Sequence, residues 1–391
     1  MALSIGIVGL PNVGKSTLFT ALTKQGGLAA NYPFATIEPN VGIVPVPDAR
    51  LDALAKIVKP QRIVPATVEF VDIAGLVKGA NAGEGLGNQF LANIRETDAI
   101  VEVVRYFHDG DVTHVEGDVD PKRDIETIST ELILADLGTL ERALPRLEKE
   151  ARRDKAAVTT LEVAKRLQSW LNEGKRAAKF AFGDAEERAL IRDLHLLTIK
   201  PILYVANVEE NDLARLCPST STPADGQTSS FAGALSSADN SDSLAALLLA
   251  PIDGQEPLVI SAKIEADIAE LATNNPAEAA EFQKSLGLSE SGLSRLAQAA
   301  YKLLGLQSFF TAGPLEVRAW TIPVGTKTPQ AAGVIHSDFE HGFIKAETAS
   351  FSSYIEYGGE VGLRAAGKLR QEGKDYIVSD GDVMHFKFSP R

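Results

Sequence analysis

The chain has 391 residues, the length of two or three ordinary domains. A hydrophobic content of 45% and a charged content of 23% are typical of a globular protein with a large core. The net charge of −13 argues against a general nucleic-acid coat, and the single cysteine, Cys217, excludes an internal disulfide. No run of eighteen apolar residues occurs, so we predict no membrane span. The chain enters its first predicted strand almost at once, so we predict no signal peptide, and the single cysteine fits a cytoplasmic location.

The first motif follows a short apolar segment near the start of the chain. Residues 4–8 are typical of a buried parallel strand, residues 9–16 read Gly-Leu-Pro-Asn-Val-Gly-Lys-Ser, and residues 17–24 have helical apolar spacing. The middle segment matches the P-loop, whose backbone N–H groups surround a phosphate at a helix N-terminus. The motif therefore predicts that the chain binds a nucleoside triphosphate. The loop residues predicted to contact it are Asn12, Val13, Gly14, Lys15, Ser16 and Thr17.

Two of these residues have predicted chemical roles. Lys15 would reach the outer phosphates as a point charge and is the predicted catalytic residue of the loop. The Ser16 hydroxyl would bind Mg²⁺, which prefers oxygen ligands.

Four further segments are typical of strands in a doubly wound α/β sheet. Ligands of such a sheet bind at the carboxyl ends of its strands. Because residues with phosphate-binding or polar character occur at several of these ends, we predict one nucleotide site built from distant segments. The predicted strands are 68–72, 99–106, 200–207 and 257–261, and the residues at strand ends are Gly9, Asp72, Asn207 and Ser261.

A different pattern occupies residues 128–199. Leucines at 137, 140, 144 and 147 alternate in threes and fours, which is the spacing of a coiled-coil seam. The seam resumes over residues 161–171, after a polar break at 152–155, so we predict two antiparallel helices that form an inserted arm. A plain surface hairpin of helices is the alternative to a partner-binding arm.

Two more regions complete the organisation. Residues 218–242 are rich in Ser, Ala, Thr, Gly and Asp, and we predict a flexible insertion over 217–245. From residue 306 onward, strand-like segments and the tight turn at 379–382 predict a small α+β domain. Its basic residues are a candidate basic face, with scattered surface charge as the alternative: Lys368, Arg370, Lys374, Lys387 and Arg391.

Several long strings resemble the YchF-type Obg-like ATPases. The resemblance implies a translation-factor-class P-loop domain, a coiled-coil arm and a C-terminal TGS domain with a β-grasp core. It also implies ATP as substrate, association with the ribosome, and a role around translation or stress regulation. The strings lie at residues 9–16, 31–40, 72–79, 113–117, 207–210, 261–263, 331–339 and 372–376.

The predicted fold class is therefore α/β, a P-loop NTPase domain with an inserted coiled-coil arm and a small C-terminal α+β β-grasp (TGS) domain. We expect a monomer that binds ATP and the ribosome, with no membrane and no free DNA among its partners. The predicted boundaries are 1–127 and 200–304 for the two parts of the NTPase domain, 128–199 for the arm and 305–391 for the TGS domain.

Three residues complete the predicted metal and γ-phosphate site. Thr36 lies in the loop expected to close over the γ-phosphate, where its hydroxyl would complete the Mg²⁺ shell opposite Ser16. Asp72 would support the same ion through a water, as the acidic residue of the second phosphate motif. Gly75 leaves its N–H free to approach the γ-phosphate, so that loss of this phosphate would release both loops.

The base-selecting segment reads Asn207-Val208-Glu209-Glu210, where GTP-specific relatives have Asn-Lys-x-Asp. Adenine lacks the 2-amino group, so a carboxylate placed for guanine would lose its partners at about 1–3 kcal/mol each. Glu210 replaces that Asp and Val208 replaces the covering Lys, whereas Asn207 can still bond the N7 and 6-amino edge of adenine. We predict ATP over GTP. Glu209 as the deciding acid and dual nucleotide use stay open, and Ser261 and Ala262 are further predicted contacts.

The hydrolytic machinery is the least defined part of the site. Many related enzymes place a water-orienting Gln where this chain has Leu76, so we predict slow turnover. His114 is the candidate catalytic residue within the chain, with a surface histidine as the alternative. The side-chain oxygen of Asn12 could coordinate K⁺ in place of an arginine finger. A GTP switch, or a ribosome-binding module with incidental hydrolysis, are the alternative functions.

Overall fold

The computed structural model describes residues 3–27, 40–73, 86–107, 119–216 and 250–389. The chain forms two compact units, one of residues 1–42 with 69–295 and one of residues 43–68 with 296–391. Within the described ranges, none of the helices combines the length and apolar character needed to cross a membrane.

Two six-stranded sheets form the framework. The strands are β1 Ser4–Val8, β2 Val41–Pro45, β3 Arg62–Val64, β4 Thr67–Asp72, β5 Ala99–Arg105, β6 Ile202–Asn207, β7 Leu258–Ile260, β8 Leu306–Ala312, β9 Glu316–Pro323, β10 Phe343–Ser350, β11 Arg370–Glu372 and β12 Asp382–Phe388. The first sheet has the order β2-β4-β1-β5-β6-β7 and the second the order β11-β10-β12-β8-β9-β3.

The helices that the structure describes are interspersed with the strands along the chain in both units. Two short 3₁₀ turns, Ala177–Lys179 and Arg192–Leu194, lie at the base of the arm. The helices are α1 Lys15–Gly27, α2 Ala49–Val58, α3 Leu86–Glu96, α4 Pro121–Ala151, α5 Lys155–Asn172, α6 Ala185–Ala189, α7 Glu210–Leu216, α8 Ala262–Asn274, α9 Pro276–Ser285, α10 Gly292–Leu303, α11 Thr328–Ile335, α12 Ser337–His341, α13 Phe351–Glu356 and α14 Glu360–Ala365.

The first sheet has the parallel core that the apolar runs predict. β1 pairs in parallel with β4 and β5, and β6 pairs in parallel with β5 and β7. All seven residues of β5 are buried, as expected for a central parallel strand covered on both faces. The carboxyl ends of β1, β4, β6 and β7 consequently lie along one edge of the sheet.

The inserted arm is a pair of antiparallel helices. α4 begins at Pro121, where the Asp120 side chain accepts a hydrogen bond from the Arg123 N–H at 3.1 Å. This start lies seven residues before the predicted arm, because α4 also runs along the nucleotide-binding unit. The predicted seam is present, and its buried residues include Leu140, Leu147, Val163, Ala164, Leu167 and Leu171.

A buried carboxylate fixes α4 to the segment that follows the arm. Asp136 accepts hydrogen bonds from the backbone N–H of Leu197 at 2.7 Å and of Thr198 at 2.8 Å. It also accepts one from the Thr198 hydroxyl at 2.6 Å. Three donors to one buried carboxylate make this the anchor point of the arm.

The second unit contains residues that the sequence assigned elsewhere. β3 pairs in parallel with β9, with Arg62 opposite Glu316, so residues 43–68 lie in the C-terminal unit. Arg50 binds Asp380 of the same unit at 2.7 Å. The predicted domain boundaries remain a prediction, to which the structure adds this contribution from residues 43–68.

Candidate functional site

The P-loop connects β1 to α1, and its backbone enters the left-handed region that glycine adopts most easily. Gly14 has φ 91° and Asn12 has φ 63°, both in the left-handed region. A Cβ on Gly14 would lie 2.2 Å from Nδ2 of Asn207, and a Cβ on Gly9 would lie 2.7 Å from the carbonyl oxygen of Val103. Both positions therefore require glycine for close approach.

Lys15 is buried, with 8% of its surface exposed, and contacts the end of β4. Its Nζ donates to the carbonyl oxygen of Ile73 at 2.7 Å and lies 3.5 Å from Oδ1 of Asp72. The register of β1 with β4, in which Ile7 is opposite Asp72, brings the two predicted phosphate motifs together. The P-loop lysine and the acidic residue are thus neighbours in one site.

The side-chain oxygen atoms beside the P-loop are suitable ligands for a magnesium ion. Oδ1 of Asp72 is buried and accepts no hydrogen bond from the described residues. A carboxylate oxygen that accepts no hydrogen bond, beside the phosphate-binding loop, is a ligand that Mg²⁺ prefers. Ser16 is exposed in the first turn of α1 and offers a hydroxyl. The third predicted ligand, Thr36, lies outside the described residues.

Asn207 joins the phosphate-binding loop to a second loop at the same sheet edge. Its Nδ2 donates to the carbonyl oxygen of Val13 at 2.8 Å, and its Oδ1 accepts from the Ala262 N–H at 2.9 Å. The side chain is buried, with 4% exposed. One hydrogen on Nδ2 and one lone pair on Oδ1 are not used by these two bonds. Asn207 can therefore position both loops and still form hydrogen bonds with a nucleotide base. Its adenine contact stays a prediction.

The residues that follow Asn207 divide between core and surface. Val208 is buried in an apolar cluster with Ala206 and Ile264, so its side chain packs away from solvent. A nucleotide contact by Val208 would therefore use its backbone. Glu210 is exposed, and its Oε1 lies 2.9 Å from Nζ of Lys263.

The loop from β7 to α8 supplies the remaining predicted contacts. Ser261 and Ala262 are both buried, with 1% and 3% exposed, and Ser261 precedes the first turn of α8. In the first turn of α1, Thr17 is exposed like Ser16. Gly75, Leu76 and His114 lie outside the described residues, so their predicted roles stay predictions.

Comparisons with known proteins agree with this geometry. A family model described as 50S ribosome-binding GTPase matches residues 4–144, and a YchF-GTPase C-terminal model, described as a protein of unknown function, matches residues 306–389. Ribosome-binding ATPase YchF of Escherichia coli O157:H7 is 54% identical over 393 residues, which is 100% of both chains. Obg-like ATPase 1 of Gallus gallus is 43% identical over 99% of this chain and 93% of that protein. The chain belongs to the YchF family.

The solved structure of the Schizosaccharomyces pombe YchF GTPase has the same fold. It matches with a TM-score of 0.83 and 38% identity, over 98% of this chain and 97% of that one. The resemblance and the fold class are therefore confirmed, and this YchF-family chain is a P-loop nucleotide hydrolase. The bacterial and chicken relatives are named ATPases and the yeast protein a GTPase.

A buried polar cluster in this YchF-family chain was missed by sequence reasoning. Glu102, 1% exposed, lies on β5 between Val8 of β1 and Tyr204 of β6. Arg176 donates to Asp253 at 3.0 Å and to the Tyr204 hydroxyl at 3.3 Å. The available signal was the single acidic residue in the middle of β5, which has apolar residues on both sides.

The cluster holds an acid that prefers its neutral form. Burial raises the pKa of Glu102 to about 8 from the ordinary 4.5. The nearby Arg176 lowers this pKa, whereas Asp253 and Asp124 raise it further. Oε1 of Glu102 accepts no hydrogen bond from the described residues.

We expect Glu102→Gln to remove a pH dependence of stability. The folded state holds this proton more tightly than the unfolded chain, so the stabilisation is complete below about pH 4.5 and is lost as pH rises to about 8. Relative to the variant, the wild type should lose up to about 1.4 kcal/mol of its free energy of unfolding per pH unit in this range. Urea denaturation at several pH values measures it.

The exposed residue Glu96 supplies the matched control. Glu96→Gln should leave the pH profile of stability unchanged. A constant offset between wild type and Glu102→Gln across the range would contradict the assignment of a proton to Glu102.

Proposed function

We propose that this chain is a Mg²⁺-dependent ATPase that prefers ATP to GTP and acts as a slow nucleotide switch on the ribosome. The observation that carries the proposal is the position of Asn207, which hydrogen-bonds both Val13 and Ala262. The phosphate-binding loop and the base-selecting loops therefore belong to one site. The names of the bacterial relatives support ATP and the ribosome as ligands.

The phosphate side of the site depends on three side chains. Mg²⁺, when bound, neutralises charge that develops on the β- and γ-phosphate oxygens. Asp72 and the Ser16 hydroxyl would hold it, because both offer oxygen donors at the loop. The ammonium group of Lys15 has three donors, of which Ile73 uses one, so two are available to phosphate oxygens.

The base side of the site supports adenine. Guanine recognition needs a carboxylate that accepts hydrogen bonds from N1–H and from the 2-amino group. Glu210 is instead 2.9 Å from Lys263, and this ammonium competes with the guanine donors for the same oxygens. Adenine presents an acceptor at N1, which is compatible with a neighbouring ammonium group.

We expect Glu210→Asp to lower the preference for ATP. The shorter side chain separates from Lys263 and restores the carboxylate that guanine recognises. The ratio of ATP to GTP affinity should fall about fivefold to tenfold, which corresponds to about one neutral hydrogen bond. Competitive titration of the two nucleotides with Mg²⁺ present measures the ratio.

Glu209→Asp is the matched control, because Glu209 is an exposed neighbour of the same chemistry. Lysine is not introduced at Val208, since a charge there would be buried in the core. If Glu210→Asp leaves the ratio unchanged and Glu209→Asp alters it, Glu209 is the selecting acid and this account of the base is wrong.

A guanine-nucleotide switch is the second candidate, because the yeast relative of the same fold is titled a GTPase. The same competitive titration, carried out on the wild type, distinguishes an ATP-specific from a GTP-specific switch. A third reading, a ribosome-binding module with incidental hydrolysis, requires that turnover and ribosome affinity be independent of each other. Within the proposal the chain is a cytoplasmic monomer, His114 assists hydrolysis, and Asn12 coordinates K⁺.

A further inference from the structure

The end of the helical arm has a charge opposite to that of the whole chain. The chain carries −13, whereas residues 142–155 contain six Lys or Arg and three Asp or Glu. Four exposed cations surround the turn between α4 and α5, and we call them the arm tip: Lys149, Arg152, Arg153 and Lys155.

Two of the three nearby acids lie close to cations outside the arm tip. Glu148 lies 2.9 Å from Lys165 of α5, and Glu150 lies 3.7 Å from Arg146. Lys165 and, more weakly, Arg152 lower the pKa of Glu148, and Asp154 lies between Arg153 and Lys155 in the sequence. Because cations outnumber acids six to three in this segment and all four arm-tip cations are exposed, a net positive charge is presented to solvent.

Helix electrostatics explain only part of this arrangement. Lys149 and Arg152, at the carboxyl end of α4, interact favourably with the helix dipole. Lys155, however, is the first residue of α5, directly after Asp154, and the first turn of α5 contains no acidic residue. A cation at a helix N-terminus opposes the helix dipole. Stability of the arm therefore does not account for Lys155.

The arm holds its tip away from the unit that carries it. Fifteen residues of α4 separate the anchor at Asp136 from Ala151, which corresponds to about 22 Å of helix. Leu140 and Leu147 pack against α5 over this distance, so the projecting part has its own apolar seam. A partner can thus meet the cations without approaching the acidic body.

We propose that the arm tip binds the phosphate backbone of structured RNA. Exposed cations are complementary to phosphates, whereas the net charge of −13 disfavours phosphate contact by the chain as a whole. The inference rests on the proposed function, because the RNA concerned is the one that the ribosome would present.

The test neutralises three arm-tip cations together, in the triple variant Arg152→Gln, Arg153→Gln and Lys155→Gln. Co-sedimentation with ribosomes between about 50 and 200 mM salt gives the affinity and its salt slope. We expect affinity to fall at least tenfold and the slope of log affinity against log salt to fall by about 2. ATP turnover without ribosomes should be unchanged.

The control makes the same change of charge elsewhere in the first unit. Arg188, Arg192 and Lys284 are exposed, and their triple change to Gln should alter ribosome affinity by less than twofold. If the wild type does not sediment with ribosomes, the proposed ribosome partner is overturned. If the wild type sediments and the arm-tip variant matches it, or matches the control, the RNA contact is overturned and the proposed function stands.

Discussion

Gly14→Ala should weaken the binding of Mg·ATP by at least about 100-fold. The new Cβ would lie 2.2 Å from Nδ2 of Asn207, at a φ of 91° that side chains rarely adopt. Asn207 would have to move, and its hydrogen bonds to Val13 and Ala262 would be lost together. Calorimetric titration with Mg·ATP measures the change.

The helix of the arm provides a control for this substitution. A Cβ on Gly138 of α4 would meet no atom within 4 Å, so Gly138→Ala should bind ATP like the wild type. It should also raise the free energy of unfolding by about 0.5–1 kcal/mol, since alanine is the better helix former. Asn207→Ala offers a second variant if Gly14→Ala does not fold. Normal ATP affinity in both would refute the role of Asn207 as a link between the loops.

Lys15→Met should lower kcat for ATP hydrolysis by at least about 100-fold. The ammonium group is buried beside Asp72 and Ile73, where it is preorganised for charge on the outer phosphates. Loss of one such donor typically costs a factor of 10² to 10³ in kcat. Methionine keeps most of the side-chain volume, so the loss should be in the chemical step. Single-turnover release of phosphate measures it.

Lys24→Met is the matched control on the same helix. Lys24 is exposed and lies 3.3 Å from Glu270 of α8, so the change removes only a surface ion pair. Its kcat should remain within twofold of the wild type. Equal rates for Lys15→Met and Lys24→Met would contradict the assignment of Lys15 to catalysis.

The framework of the site followed from local sequence patterns. The apolar run at residues 4–8 is β1, and α1 begins at Lys15, inside the motif that predicted a helix N-terminus. Asp72 and Asn207 are the last residues of β4 and β6, as the rule for parallel sheets requires. These features could be predicted because strand composition and glycine spacing are short-range properties.

Features that depend on distant partners could not be predicted in this way. β3 has three residues and one buried side chain, so its sequence has no periodicity that indicates pairing with β9, about 250 residues away. Arg176 follows the arm in the sequence and contacts Asp253 and Tyr204 only in the folded chain. The sequence around Arg176 contains no pattern that indicates these contacts.

The base-selecting segment shows a third situation. The sequence gives its residue types, but it does not show the environment of each side chain. Val208 packs in the core and Glu210 pairs with Lys263. The burial of Val208 follows from the pairing of β6 with β7, whose Ile260 carbonyl accepts the Val208 N–H at 2.9 Å. A motif specifies residue types, whereas the register of neighbouring strands decides which side chains reach a ligand.

The most direct test of the account is a titration of the purified wild-type chain with ATP and with GTP, each with Mg²⁺ and again with the metal chelated. The account predicts that ATP binds more tightly than GTP, that chelation weakens the binding, and that phosphate is released slowly from Mg·ATP. Absence of measurable affinity for Mg·ATP, in a chain that is folded by circular dichroism, would contradict it.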